Sequence, residues 1–527
     1  MTQKQKNLVF LGICFALVFI VYSQSLFGNF VFDDRLIVEH QLLFENLNNL
    51  PKVLSMGYWT AEAGLYRPVV LISYIFNYSL FGSDAWSFHL INLILYALTG
   101  YLLFLLIKRV FPKRKLLAYL TPLLFLVLPI HTEAVANIVG RAEILALFFS
   151  LLAFLEVVKK KTNLWKIAFW LILALASKET AIAAFPIILL LLFVKHTQFV
   201  WYKVLYVIIP LFLSASVYFT ARFLVLGQYF FSNNATLTEN PLKFVCSWER
   251  IATSLKILVM YVKKSFCGFQ LCSDYSYNQI PIATNFFNLE TLIGLAIFLF
   301  LVITTIIFLG RIPVLALGSG FFLFGFLPVS NLILPIGTIA GERLMFFPSV
   351  GLCLYLTQAL ILLRRIKPRK LFRLISIVLI IVLFCFYAGR SFVRNFDWLT
   401  EKALFISAGQ CASQSVLSRS NSGTVYYFEG KYDEAEQEFL DANQIYDKYP
   451  KAINNLGLVY WKKGEYEKAK QEYFRAIKNW PPYEGVYENL ALLYLSQGEV
   501  EQARKWLNFG FNSKQAADNY LRQYGLE

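Results

Sequence analysis

Long apolar runs alternate with short charged breaks through the first three quarters of the chain. The runs fall near 7–27, 84–107, 116–130, 143–158, 163–177, 180–195, 202–222, 290–310, 312–328, 344–363 and 371–389. A helix needs about 20 apolar residues to cross a hydrocarbon layer of about 30 Å. The pattern therefore predicts an all-α, polytopic membrane domain of about eleven spans, several of them short. The first run follows a basic KQK, as a signal peptide does. No small-x-small cleavage site follows it, so it reads as an uncleaved first helix. Residues 245–266 are apolar too, but Glu249, Arg250, Lys256, Lys263 and Lys264 interrupt them. They predict an interfacial or re-entrant helix rather than a span. The stretch RPVVLISYIFNYSLFG (67–82) reads as a juxtamembrane helix.

Beyond residue 390 the period changes. Gly430, Gly464 and Gly498 recur at 34-residue intervals. Around them run TVYYFEGKYDEAEQEFLDA, LVYWKKGEYEKAKQEYFRA and ALLYLSQGEVEQARKWLNF. This is the signature of tetratricopeptide (TPR) units, each a helix pair that closes its core against the next. Gly457, Tyr460, Ala469, Tyr473, Ala476 and Pro481 occupy the pattern in the middle copy. Ala435, Ala469 and Ala503 let the paired helices approach. Residues 514–525 predict a capping helix. The organisation is thus a membrane domain over 1–390 and an α-solenoid of about three TPR units over 391–527.

Composition agrees, with 57% hydrophobic and 17% aromatic residues among 527. The net charge of +16 is uneven, because 33 of 49 basic but only 15 of 33 acidic residues precede residue 391. Those bases crowd a few loops that hold no acid: Lys108 to Lys115, Lys159 to Lys166, Lys195 with Lys203, Arg311, and Arg364 to Arg373. The positive-inside rule puts these loops and the N-terminus in the cytoplasm. The basic total then reports topology, not nucleic acid. An odd number of spans places the TPR units outside the cytoplasm. Cys267 and Cys272, in SFCGFQLC, are candidates for a local disulfide on that side, which spacing alone does not establish.

The polar residues left at the outer helix ends are of mixed sign: Asp33 and Asp34, Arg67, His131 and Glu133, Arg141, Lys178 and Glu179, and Glu342 and Arg343. A sugar carried on a lipid phosphate would need such a set. Cations (Arg343, Arg141, Lys178) would replace the phosphate's lost hydration. A carboxylate (Asp33 or Asp34) would take the proton of an acceptor hydroxyl. His131 and Glu133 would orient a base, or hold a divalent Mg²⁺ or Mn²⁺ with the aspartates. Structural readings compete. The aspartates could cap a helix, Lys178–Glu179 and Glu342–Arg343 could be ion pairs, and Arg67 before Pro68 could anchor at the headgroups. A transporter would put polar groups at mid-membrane depth, and these lie at helix ends. No Walker loop, dinucleotide fingerprint or GxSxG motif occurs.

The order of motifs carries a further reading: FVFDDR, YRPVVLISYIFNYSLFG, FHLINLILYAL, PIHTEAVANIVGRAEILALFF, SKETAI, DYSYNQIP and GERLMFFPSVGLCL, then TPR units. Over nearly the whole chain this resembles the transmembrane and tetratricopeptide repeat-containing (TMTC) family, which is similar to the GT-C glycosyltransferases and protein O-mannosyltransferases. The resemblance implies inverting transfer of a sugar, typically mannose, from a polyprenyl or dolichyl phosphate onto Ser or Thr of a protein, with the TPR units on the side of the active site and binding the acceptor. It places the base at Asp33 or Asp34 and the lipid-phosphate contact at Arg343 beside Glu342. His131, Glu133, Arg141, Lys178 and Glu179 would surround the pocket. With only about three repeats, the chain resembles a prokaryotic form, in an inner membrane, using an undecaprenyl-phosphate sugar. Two other functions remain compatible with the residues: a transferase or polymerase of envelope polysaccharide, and a scaffold recruiting proteins through its TPR units.

Overall fold

A computed structural model describes residues 2–35, 37, 40–195, 201–511 and 513–522. Every element described is helical. The chain divides into two units. The first comprises 1–236, 240–273 and 282–404, and the second 237–239, 274–281 and 405–527. The boundary expected at residue 390 falls inside an unbroken helix, Arg369–Asn395. The division comes after Leu404, and two short segments from an earlier loop join the second unit.

In the first unit the long helices are α1 (Gln3–Tyr22), α2 (Pro68–Phe81), α3 (Ala85–Val110), α4 (Lys115–Val127), α5 (Arg141–Val157), α6 (Leu164–Ser177), α7 (Ala184–Lys195), α8 (Trp201–Leu226), α9 (Ser247–Cys267), α10 (Leu289–Ile307), α11 (Pro313–Phe326), α12 (Ser349–Leu363) and α13 (Arg369–Asn395). Each expected apolar run has its helix. Six helical stretches are long and apolar enough to cross a membrane, and a seventh candidate is α4 with 129–136, bent by 54°. The break falls at Leu128, directly before Pro129, which has no N–H to continue a helix. The remaining runs form the shorter helices α6, α7, α11 and α12. The α9 helix, 21 residues long, is amphipathic and is not among the helices apolar enough to cross a membrane. Cys267, at its end, is a free thiol while Cys272 is disulfide-bonded, so the local bridge between them is absent.

Two close approaches shape this unit. A Cβ on Gly294 of α10 would lie 2.1 Å from the Leu255 carbonyl oxygen of α9, so only glycine lets these helices meet. A Cβ on Gly140 would lie 2.2 Å from the Ala134 carbonyl oxygen, which permits the tight turn from 132–136 into α5. The first and last helices end on one face. The Asn29 N–H donates to the Leu399 carbonyl at 2.9 Å, and Asn395 Nδ2 donates to the Val21 carbonyl at 3.0 Å. The chain after α13 therefore leaves this unit on the face that carries the loop with Asp33.

The second unit contains α14 (Glu401–Cys411, from residue 405), then α15 (Val416–Phe428), α16 (Tyr432–Ile445), α17 (Pro450–Lys462), α18 (Tyr466–Asn479), α19 (Glu484–Ser496), α20 (Val500–Phe511) and α21 (Lys514–Arg522). Ala435, Ala469 and Ala503 are fully buried, as the repeat pattern predicts. Gly430, Gly464 and Gly498 turn each pair at φ between +74° and +81°. The capping helix is described to Arg522, and the rest of its expected length lies outside the described residues. Asp274 accepts from the Ser415, Ser418 and Ser276 hydroxyls, which ties the loop segment 274–281 to the start of α15.

Replacing Gly294 with Val should wedge α9 from α10. The expected loss is about 1–3 kcal/mol, as for other overpacked cores, read as a lower unfolding temperature in detergent. An unchanged temperature would contradict the close contact.

Candidate active site

The loop after α1 carries the two adjacent aspartates, and the fold gives them different surroundings. Phe32 sits at φ +52°, a left-handed conformation that a bulky side chain seldom adopts. The turn it makes sends Asp34 inward and leaves Asp33 partly open. Asp34 is fully buried. Its Oδ1 accepts from the Val139 N–H at 2.9 Å, and its Oδ2 from the N–H groups of Ile138 and Val31 at 3.3 and 3.4 Å. Burial raises its carboxyl to about 7, against the pull of those three amides. Asp34 is thus a pin between the first loop and the turn that begins α5. Asp33 keeps a quarter of its side chain exposed and accepts from Arg343 Nη1 at 2.8 Å.

Arg343 follows Gly341 and Glu342 in the turn before α12. Three groups hold that turn. Glu133 Oε2 accepts from the Arg343 backbone N–H at 2.9 Å, and its Oε1 lies 3.4 Å from Arg343 Nε. The Cys272 N–H donates to Glu342 Oε1. The Tyr261 hydroxyl of α9 donates to the Gly341 carbonyl at 3.1 Å and accepts from the Gly341 N–H at 2.9 Å. Arg343 is therefore shared between two carboxylates that sit 310 and 210 residues away in the chain. The Arg343 side chain is about a quarter exposed, as is that of Asp33, whereas Glu133 is only 5% exposed.

Two more ion pairs belong to the same neighbourhood. Lys178 and Glu143 form a buried pair, each side chain under a tenth exposed. Arg67 makes a two-pronged bond to Glu179 at 3.0 and 2.7 Å and stacks 5.2 Å over the Tyr58 ring. Burial acts to raise the Glu179 carboxyl, and Arg67 outweighs it, holding the group at about 2. Burial lowers the Lys178 ammonium; Glu143 opposes this, while Arg67 and Arg343 are close enough to push it further down. Arg67, Lys178 and Arg343 thus form one patch of cations, each matched by a carboxylate. Charges so deeply placed need an opposite charge or a full set of hydrogen bonds.

Two expected site residues stand apart from that patch. Arg141 is fully buried, and its guanidinium donates to Asn92, Asn77, Ser73 and the Phe88 carbonyl, with the Tyr74 ring 4.8 Å away. No donor on it is left for a phosphate, and it serves as a cross-brace between α2, α3 and α5. His131 is also fully buried, with Nδ1 2.8 Å from the Tyr96 hydroxyl and Nε2 2.7 Å from Ser349 Oγ. Both ring nitrogens are engaged, so His131 cannot join the aspartates as a metal ligand. Among the described residues no group of three or more His, Cys, Asp or Glu side chains converges on a point. The chain's motifs had not flagged Tyr261 or Tyr58.

A tetratricopeptide repeat family model matches residues 421–484 and 454–508. The chain is 28% identical over 462 residues to the Caenorhabditis elegans protein O-mannosyl-transferase F38B6.6, covering 85% of this chain and 64% of that one. It is 26% identical to the mouse protein O-mannosyl-transferase TMTC3 (80% of this chain, 50% of that one) and 27% to Drosophila melanogaster Tmtc3 (84% and 55%). It therefore spans between half and about two thirds of the length of these relatives.

Asp34 makes its own pH prediction. Its carboxyl stands near 7 folded against an ordinary 3.8, so the folded state holds the proton more tightly. The stability it contributes is full below about pH 4, falls as pH rises towards 7, and is level above. Asp34→Asn should flatten that part of a stability–pH curve. An identical curve would show that Asp34 does not titrate across this range.

Proposed function

We propose that this homologue of the TMTC protein O-mannosyl-transferases is a glycosyltransferase that uses a polyprenyl-phosphate sugar, with mannose the first candidate. It transfers the sugar to a Ser or Thr hydroxyl of a protein outside the cytoplasm. One observation carries the reading: Asp33 and Arg343, each about a quarter exposed, face each other at 2.8 Å beside the buried Glu133 and the buried Lys178–Glu143 pair. The homologues' names support the reaction class, and the TPR units suit a protein acceptor.

The chemistry follows from the pairing. The donor's phosphate is an anion and competes with Asp33 for Arg343. A phosphate bound to Arg343 Nη1 frees Asp33 Oδ2, while Glu133 still holds the arginine's main chain and Nε. The acceptor oxygen attacks the anomeric carbon as Asp33 takes its proton. The bond from that carbon to the phosphate oxygen breaks on the opposite side. The products are the glycosylated hydroxyl, a lipid phosphate with one more negative charge, and a protonated Asp33. Base and cation act on opposite ends of one displacement, and Arg343 meets the charge as it develops. Lys178 and Arg67 add positive potential nearby while staying on their own carboxylates. Asp34, Arg141 and His131 act only through the scaffold. No step requires a metal ion.

The test uses purified protein, polyprenyl-phosphate mannose and a Ser/Thr-bearing acceptor. Asp33→Asn should lower turnover by about 10²–10⁴, the usual weight of a general base, with donor binding retained. Full turnover in this variant removes Asp33 from the role of base. A lipid-linked glycan accepting the sugar in place of the protein would favour envelope polysaccharide synthesis. Topology has its own test: a reporter fused after residue 400 must read extracytoplasmic, and a cytoplasmic reading would put the site on the wrong side for the proposed donor.

A further inference from the structure

We propose that Tyr261 of α9 is a positioning residue for Arg343. The inference rests on the reading of Arg343 as the phosphate contact. Gly341 is extended, at φ −167° and ψ 143°. In that conformation the N–H and C=O of one residue point to the same side. A single hydroxyl can then donate to one and accept from the other, and Tyr261 does both, at 3.1 and 2.9 Å. The Tyr261 side chain is fully buried, so water does not compete for either bond. Two residues further on, Glu133 accepts from the Arg343 N–H. The main chain on both sides of Glu342 is therefore fixed, and the arginine starts from a set Cα position.

The rest of α9 fits the same purpose. It is not among the helices apolar enough to cross a membrane, and it packs closely on α10, where Gly294 admits the Leu255 carbonyl. Leu255, Leu258 and Tyr261 lie on one face at helical spacing, and all are buried. Packing of this face sets how far the Tyr261 hydroxyl reaches. Lys264, one turn further along the same helix, adds a positive charge near Glu342.

The experiment uses the full chain in nanodiscs with two readouts. One is amide hydrogen exchange in a peptide covering 339–345, which needs no ligand. The other is affinity for undecaprenyl phosphate. Tyr261→Phe should speed exchange about tenfold and weaken binding about 3- to 10-fold, as for a lost hydrogen bond. In an Arg343→Ala background it should weaken binding no further. Unchanged exchange, or effects on binding that multiply, would overturn the positioning role. Should Tyr261→Phe unfold the protein, Tyr261→3-fluorotyrosine keeps the shape and strengthens the donor. It should still shift exchange, and no shift overturns the proposal. If the unaltered protein binds undecaprenyl phosphate no better than Arg343→Ala, the reading of Arg343 fails. The exchange result then decides the clamp by itself.

Discussion

Arg343 is held between Asp33 and Glu133, and the site takes its form from that sharing. A guanidinium this enclosed needs opposite charge and hydrogen bonds to offset its lost hydration. Glu133, buried, supplies both a charge and an acceptor for the main chain. Asp33, partly open, supplies the second charge at an edge where a ligand can replace it. The arrangement joins the loop after α1, the bent segment after α4 and the turn before α12. Those three pieces are far apart in the chain, and the charge cluster brings them to one place.

Around that centre, the remaining polar groups divide by how completely they are satisfied. Arg141 has its donors filled by amides, a hydroxyl and a carbonyl, with aromatic rings on its face. His131 bridges two hydroxyls. Asp34 takes three main-chain N–H groups. Such saturated groups rigidify a helical bundle and have no capacity left for a substrate. Asp33 and Arg343 are bonded and still partly exposed, and that combination allows exchange of partners. The distinction is one of accessible bonding capacity, since all of these residues are charged or titratable.

Much of this was legible in the sequence. The apolar runs mark the helices, the 34-residue glycine period marks the TPR units, and mixed-sign loops gather the residues that form the cluster. The sequence could not separate Asp33 from Asp34, because adjacent positions share every local pattern; the left-handed turn at Phe32 and the amides of 138–139 separate them. Arg141 looked like a phosphate ligand because its bonding partners, Asn77 and Asn92, sit on other helices. Tyr261 was hidden because its two bonds go to main-chain atoms, which leave no trace in residue identity. The boundary near 390 was misplaced because the last apolar helix continues through polar residues to Asn395.

The central claim is a single displacement with Asp33 on one side of the anomeric carbon and the Arg343-bound phosphate on the other. Its most direct test is the stereochemistry of the product. The anomeric configuration of the transferred sugar, read by NMR and compared with that of the lipid-phosphate donor, should be inverted. A product with the donor's configuration would require a covalent glycosyl intermediate or a different pair of residues, and would contradict the account.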